Sequence, residues 1–299
     1  MSLKVNILAC YGLLLFIWAT IPLAIVWSVS DLNLMWALVI RFFLALPLAG
    51  MILFCLRIHF PVTLQAWHSY LAGAASLIGS QLFTYAATPY LSSGLIALMY
   101  GFTPIMAGFI GIFIFKRNMS TWQWGGLILA IIGLSTIYLG DSAQMIQPIG
   151  IILMLIGIFI YALSMYWVKK INAPVHFMSQ ATGSILISCL CSICVLPFIW
   201  HDIPTALPNL KSLIGLAYAV VMGSVIAMVC YFYLIQRVQA ITLSLTTVIT
   251  PLLALLVGAW LNHEHLTLMT LIGAGVIIIG FIVYFLKDLI VNLKFNSRD

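Results

Sequence analysis

Charge is what this chain has least of. Lys, Arg, Asp and Glu together make up 6% of its 299 residues, where a soluble domain carries about a quarter. The acidic residues number six, at Asp31, Asp141, Asp202, Glu264, Asp288 and Asp299. With 64% hydrophobic residues and a mean hydropathy of +1.20, water cannot solvate such a surface, so lipid is the solvent. Catalytic and cofactor patterns are missing as well. There is no Gly-rich nucleotide loop, which excludes direct ATP drive. No paired Asp, Ser with His, or His-Glu-x-x-His lies within an apolar run, which argues against an intramembrane enzyme. The run Cys189-x-Cys191-x-x-Cys194 resembles a metal pattern, but on a helix Cys189 and Cys191 point about 200° apart. Buried free Cys packs as a small hydrophobe. His263-Glu264-His265 has no i, i+4 pair of His ligands. Neither metal nor cofactor is expected.

Long apolar runs are what the chain does have. A helix needs about 20 apolar residues to cross a bilayer. Ten runs meet that need, at 5–27, 34–56, 68–88, 92–115, 122–139, 148–168, 176–199, 212–235, 240–261 and 267–286. The expected fold is therefore an all-α membrane protein of ten transmembrane helices. The first run follows Lys4 and lacks a small-x-small cleavage site, so it reads as a retained anchor.

The loops carry nearly all the charge. With the N-terminus in the cytoplasm, the inner segments collect Lys4, Arg57, Lys116, Arg117, Lys169, Lys170, Arg237, Lys287, Lys294 and Arg298, ten of the twelve basic residues. The outer side keeps Lys211 and receives Asp31, Asp141, Asp202 and Glu264. Basic residues favour the cytoplasmic side, so both termini are expected there. Topology accounts for the net charge of +6, and no nucleic-acid partner is called for.

One phrase is written twice. TPIMAGFIG starts at Thr103 and TPLLALLVG at Thr250, 147 positions later. Continued without gaps, the alignment matches Pro104 with Pro251, Ala107 with Ala254, Gly111 with Gly258, Gly126 with Gly273 and Gly133 with Gly280. This predicts a duplicated five-helix unit, with repeats at 5–140 and 148–286 and a cytoplasmic tail at 287–299. An odd number of spans inverts the second copy. Inverted repeats commonly build secondary transporters, with the substrate near the midplane. The small residues four apart, Ala107 with Gly111 and Ala254 with Gly258, suit close helix contact in lipid. So do Gly126 with Gly133 and Gly273 with Gly280. Pro104 and Pro251, with Pro22 in the first span, are expected to kink helices and act in gating.

On these residues the chain resembles the drug/metabolite transporter superfamily, in its ten-span EamA branch. The resemblance covers about residues 5–286. It is carried by Trp18, Arg41, SSGLIALMYGFTPIMAGFIGIFIFKRNMSTWQWGGLILAIIGL from Ser92, and QAITLSLTTVITPLLALLVGAWLNHEHLTLMTLIGAGVIIIGF from Gln239. It implies two EamA repeats around a central cavity that moves small metabolites or drugs across the bacterial inner membrane. Glu264 matches a Glu common after the fourth span of such a repeat, whereas the first repeat has Arg117 there. No transport role is assigned to Glu264.

Polar residues inside spans are the candidates for a path. The expected lining is Trp18, Arg41, Gln81, Tyr85, Tyr100, Tyr161, Met165, Tyr231 and Ser244. Arg41 lies about two turns from a span end, within snorkelling reach of the surface, so contact with substrate and a role in topology are both open. Such a lining suits amphipathic or zwitterionic solutes, while its aromatic faces could hold an organic cation. No Asp or Glu lies within a predicted span, so uncoupled diffusion or exchange is expected. The function expected is export of amino acids or similar metabolites by alternating access, and the alternative is multidrug or quaternary-amine efflux. The partners expected are a small-molecule substrate and membrane lipid, for a monomer or homodimer.

Overall fold

The computed structural model describes residues 3–116, 119–140, 146–235, 237–238, 246–264 and 266–296. Among the described residues every regular element is helical and no strand occurs. Lipid leaves no other open form, because a spanning backbone must satisfy its own hydrogen bonds.

The first helices are α1 (Leu3–Ser28), α2 (Leu34–Cys55), α3 (Leu64–Ala74), α4 (Ser80–Ala87), α5 (Ser93–Tyr100) and α6 (Thr103–Phe115). They are followed by α7 (Thr121–Gly140), α8 (Pro148–Ile171) and α9 (Phe177–Ile199). The last are α10 (Leu210–Tyr218), α11 (Ala227–Ile235), α12 (Thr246–Leu261) and α13 (Leu268–Asn296). A π-helical turn at Ala75–Gly79 joins α3 to α4, and another at Ala219–Ile226 joins α10 to α11. Starts are capped by polar side chains. Asn33 accepts from the Met35 amide, Thr63 from Ala66, Ser92 from Leu95 and Asn209 from Ser212. Each supplies an acceptor for an amide the helix leaves open.

Eight helical stretches among the described residues are long and apolar enough to cross a membrane, and Ile249–Leu261 is a shorter apolar helix. The remaining predicted span, 68–88, is continuous helix from Leu64 to Ala87, long enough at about 36 Å but too polar to stand out. Its Ser69, Ser76, Ser80 and Thr84 are buried because α8 and α9 cover it. The predicted span 92–115 is two helices. The chain turns at Gly101 and Phe102, and the Phe281 ring occupies the place a Gly101 side chain would need.

Among the described residues two large apolar cores form, with two smaller clusters around Tyr70 and Trp36. One gathers Leu14, Phe42, Tyr85, Ile185 and Leu234. The other gathers Leu95, Met99, Ile105, Ile158 and Phe281. Beside the second, α7 and α13 lie backbone against backbone. A Cβ at Gly126 would stand 2.5 Å from the Gly280 carbonyl oxygen, and one at Gly133 2.6 Å from that of Gly273. The paired glycines thus face each other, which is the close approach small residues permit in lipid. Gly111 behaves differently. A Cβ there would meet only the Tyr166 hydroxyl, at 4.0 Å. The Ala107–Gly111 face lines a cavity, with Tyr166 of α8 donating to the Ala107 carbonyl at 3.2 Å.

Candidate functional site

A cavity of about 620 Å³ lies where the two cores meet. That volume is within the range of small-molecule sites. Both halves of the sequence build it. Trp18 and Pro22 of α1, Arg41 of α2, Gln81 of α4, Tyr100 of α5 and Pro104 of α6 contribute from the first. Tyr161 and Met165 of α8, Tyr231 of α11 and Pro251 of α12 contribute from the second.

Arg41 does not snorkel. It is 2% exposed and points into the protein. Its Nε donates to Ser224 Oγ at 2.8 Å, and its Nη1 donates to Gln81 Oε1 at 3.2 Å and Tyr85 Oη at 3.5 Å. All three partners are neutral. Burying an ion costs several kcal/mol even after the protein relaxes, and hydrogen bonds to a charged group return about 1.5–3 kcal/mol each. The neutral bonds can therefore hold the guanidinium in place, but among the described residues its charge has no counter-ion. The π-turn at Ala219–Ile226 makes the contact by carrying Ser224 to α2.

Tyr100 is fixed by the same helix, α4, whose Gln81 also bonds Arg41. Its hydroxyl meets Thr84 Oγ1 at 2.7 Å, Ser80 Oγ at 3.4 Å and Gln81 Nε2 at 3.4 Å. Its ring stands edge-on to Tyr161 at 6.1 Å, and Trp18 lies 5.8 Å from Tyr231. Tyr231 Oη is buried without a hydrogen bond of normal geometry, with Tyr161 beside it.

The Thr-Pro phrase acquires a physical role here. Pro104 has no amide proton, so it leaves the Tyr100 carbonyl open four residues back. The Thr103 hydroxyl takes that carbonyl at 2.6 Å. Pro104 itself sits in the first turn of α6, where proline is well tolerated. It therefore follows a helix break rather than kinking a continuous span. Pro22 and Pro251 do lie inside helices, α1 and α12. Thr250, the counterpart of Thr103, has a buried hydroxyl with no partner among the described residues.

Two expected residues fall elsewhere. Tyr85 is fully buried behind Arg41 and positions it, without reaching the cavity. Ser244 lies outside the described residues. The sequence reading also missed lining residues. Gly223 and Ser76 come from the two π-turns, and Met119, Gln123, Tyr166 and exposed Lys169 lie around one end. Only the pairing of Gly with Ser in a polar-poor span hinted at Gly223 and Ser224.

The far end is tied shut. Glu264 accepts from the Ser93 amide at 3.0 Å, Ser93 Oγ at 2.5 Å, the Gly94 amide at 3.2 Å and Asn262 Nδ2 at 3.0 Å. A carboxylate on the first amides of α5 complements that helix's dipole. Trp27 Nε1 and Lys211 Nζ both donate to Asn262 Oδ1, at 2.9 and 3.3 Å. Among the described residues no group of three His, Cys, Asp or Glu converges as a metal site.

These features define a class, a multi-pass helical membrane protein with a solute-sized cavity at its centre. Residues 6–139 and 148–286 match the sequence profile of the EamA-like transporter family, and the chain belongs to that family. The family is one of transporters rather than enzymes, and the protein is a multi-pass protein of the inner membrane. The chain is 26% identical over 206 residues to the uncharacterized inner membrane transporter YedA of Escherichia coli (strain K12). That match covers 69% of this chain and 66% of YedA, about two thirds of the relative's length. Protein PagO of Salmonella typhimurium (strain LT2) is 23% identical over 300 residues, covering 99% of this chain and 97% of PagO. One solved crystal structure superposes with a TM-score of 0.66 at 14% identity, covering 94% of this chain and 96% of that one. At that identity it shows the fold alone.

Proposed function

We propose that the chain is a secondary transporter that exports small zwitterionic or amphipathic metabolites, amino acids among them, by alternating access without ATP. One observation carries the reading. A cavity of about 620 Å³ is walled by both halves of the chain, reaches exposed Lys169 at one end, and is tied off by Glu264 at the other.

The proposed architecture is ten spans in two inverted repeats, 5–140 and 148–286, with both termini and the tail 287–299 in the cytoplasm. The 147-residue offset supports it, since it carries the first π-turn, 75–79, onto 222–226, inside the second. The reciprocal glycine packing of α7 and α13 supports it too. Basic residues at the Lys169 end support a cytoplasmic position for that end, by the positive-inside rule. The form described is then the inward-facing one, and rocking of the halves would part Glu264 from Ser93 and close the Lys169 end. The fold is proposed to work as a monomer or homodimer in lipid. Efflux of drugs or quaternary amines is the second reading, favoured by the aromatic walls and opposed by buried Arg41.

Purified protein in liposomes tests the function. The account predicts counterflow of a labelled amino acid or related metabolite, with no strong accumulation when a pH gradient is imposed. Steep proton-driven accumulation would contradict the uncoupled mechanism. Failure of every solute to exchange would contradict the transporter reading itself.

A further inference from the structure

We infer that Arg41 is the anion-holding group of the cavity and that the cargo is a small carboxylate with an apolar body, its amino group optional. The inference rests on the transporter reading and names what the same cavity takes.

Charge balance is the first ground. Among the described residues, the charged side chains lining the cavity are Arg41 and Lys169, and no Asp or Glu lines it. Of the acidic side chains described, Glu264 accepts from α5 and Asn262, Asp31 from the Asn209 amide, and Asp202 from Asn33 and His201. None is ion-paired to Arg41. Transferring a lone guanidinium into this interior is unfavourable, and an anionic cargo supplies the counter-ion the protein omits.

Geometry is the second. Nε and Nη1 of Arg41 are engaged by Ser224, Gln81 and Tyr85. Nη2 has no protein partner among the described residues, and it faces Gly223. A Cβ there would come within 3.1 Å of Nη2. Gly223 puts no side chain between that nitrogen and the cavity, which both residues line, while the rest of Arg41 is enclosed by protein. A planar guanidinium held on two sides with a donor free on the third fits a carboxylate oxygen.

The third ground is what is missing for an amine. Among the described residues an ammonium group would find no carboxylate and would share the cavity with Arg41 and Lys169. The aromatic faces of Trp18, Tyr100, Tyr161 and Tyr231 can seat an uncharged ring or chain in its place.

A matched set of ligands that share one ring tests this on the purified full chain. The set is 3-phenylpropionate, phenylalanine, 3-phenylpropionamide and 2-phenylethylamine, with benzoate and sodium chloride as smaller anions, read by melting-temperature shift and calorimetric titration. The carboxylates are expected to bind, 3-phenylpropionate at least as tightly as phenylalanine, and the amide and amine are not. Arg41→Gln is expected to weaken carboxylate binding by about ten- to a hundredfold, the loss of one charge-assisted contact, and Arg41→Lys to weaken it less. The wild-type comparison stands even if a variant misfolds. Binding of the amine in preference to the carboxylates overturns the inference. So does a null response to every carboxylate at about ten millimolar, a chloride ion that no carboxylate displaces, or undiminished carboxylate binding by folded Arg41→Gln. Amine exchange in liposomes without carboxylate exchange would sink this inference and leave the transporter reading standing. Carboxylate binding without any flux would do the reverse.

Discussion

His176 caps α9, its Nδ1 accepting from the Met178 amide at 3.3 Å. Burial lowers its pKa from the ordinary value, and the Arg237 guanidinium nearby lowers it further. A base with a depressed folded-state pKa stabilises the fold above its unfolded pKa, about 6.5. That contribution is lost as pH falls through the folded value, because protonation removes the capping lone pair. The melting temperature of the wild type should therefore drop between about pH 7 and 5 relative to His176→Asn, which keeps a capping acceptor and does not titrate. Parallel pH profiles for the two proteins would refute this. Single residues also show what the sequence could say about the cavity. Trp18, Tyr100, Tyr161 and Tyr231 were legible because large polar-tipped rings deep in apolar runs must face protein. The direction of Arg41 was not, since it depends on Ser224 in a helix 183 positions away. Lys169 could be read from sequence only as a topology marker, because nothing local shows that α8 ends beside an opening.

Helices follow the apolar runs closely. The run 34–56 became Leu34–Cys55, and 176–199 became Phe177–Ile199 behind its His176 cap. Departures arise where tertiary contacts decide. The 92–115 run breaks at Gly101, where Phe281 of α13 packs against it, and the two π-turns have no signature in periodicity. The glycines of α7 and α13 were expected to seat those helices, and the structure adds that they seat them on each other. Gly133→Val should therefore force α7 off α13 and cost about 1–3 kcal/mol, the usual penalty for overpacking. Gly275, whose Cβ position meets nothing within 4 Å, should accept Ala with no loss. Unfolding in mixed micelles measures both. Equal stability of Gly133→Val and Gly275→Ala would remove the packing argument.

Among the described residues, the whole molecule is tied at one end of the cavity, while the other end reaches exposed Lys169. Glu264 of the second half holds the first turn of α5 in the first half, and Asn262 gathers Trp27 and Lys211. Among the described residues no hydrogen bond or ion pair ties Lys169 to Gln123 or Met119. The duplication was legible because Thr-Pro and glycine recur at one offset. Which end is tied was not, since both copies of the phrase read alike from sequence. The account's central claim is that access to the cavity changes sides. Ala107 lines the cavity, and Ala107→Cys in a chain whose six native cysteines are replaced would report access directly. An impermeant maleimide is added to sealed vesicles of each orientation, with and without exchanging substrate. The account predicts fast labelling from the Lys169 side at rest, and labelling from the Glu264 side that rises during exchange. Labelling confined to one side under both conditions, or equal from both sides at rest, would contradict it.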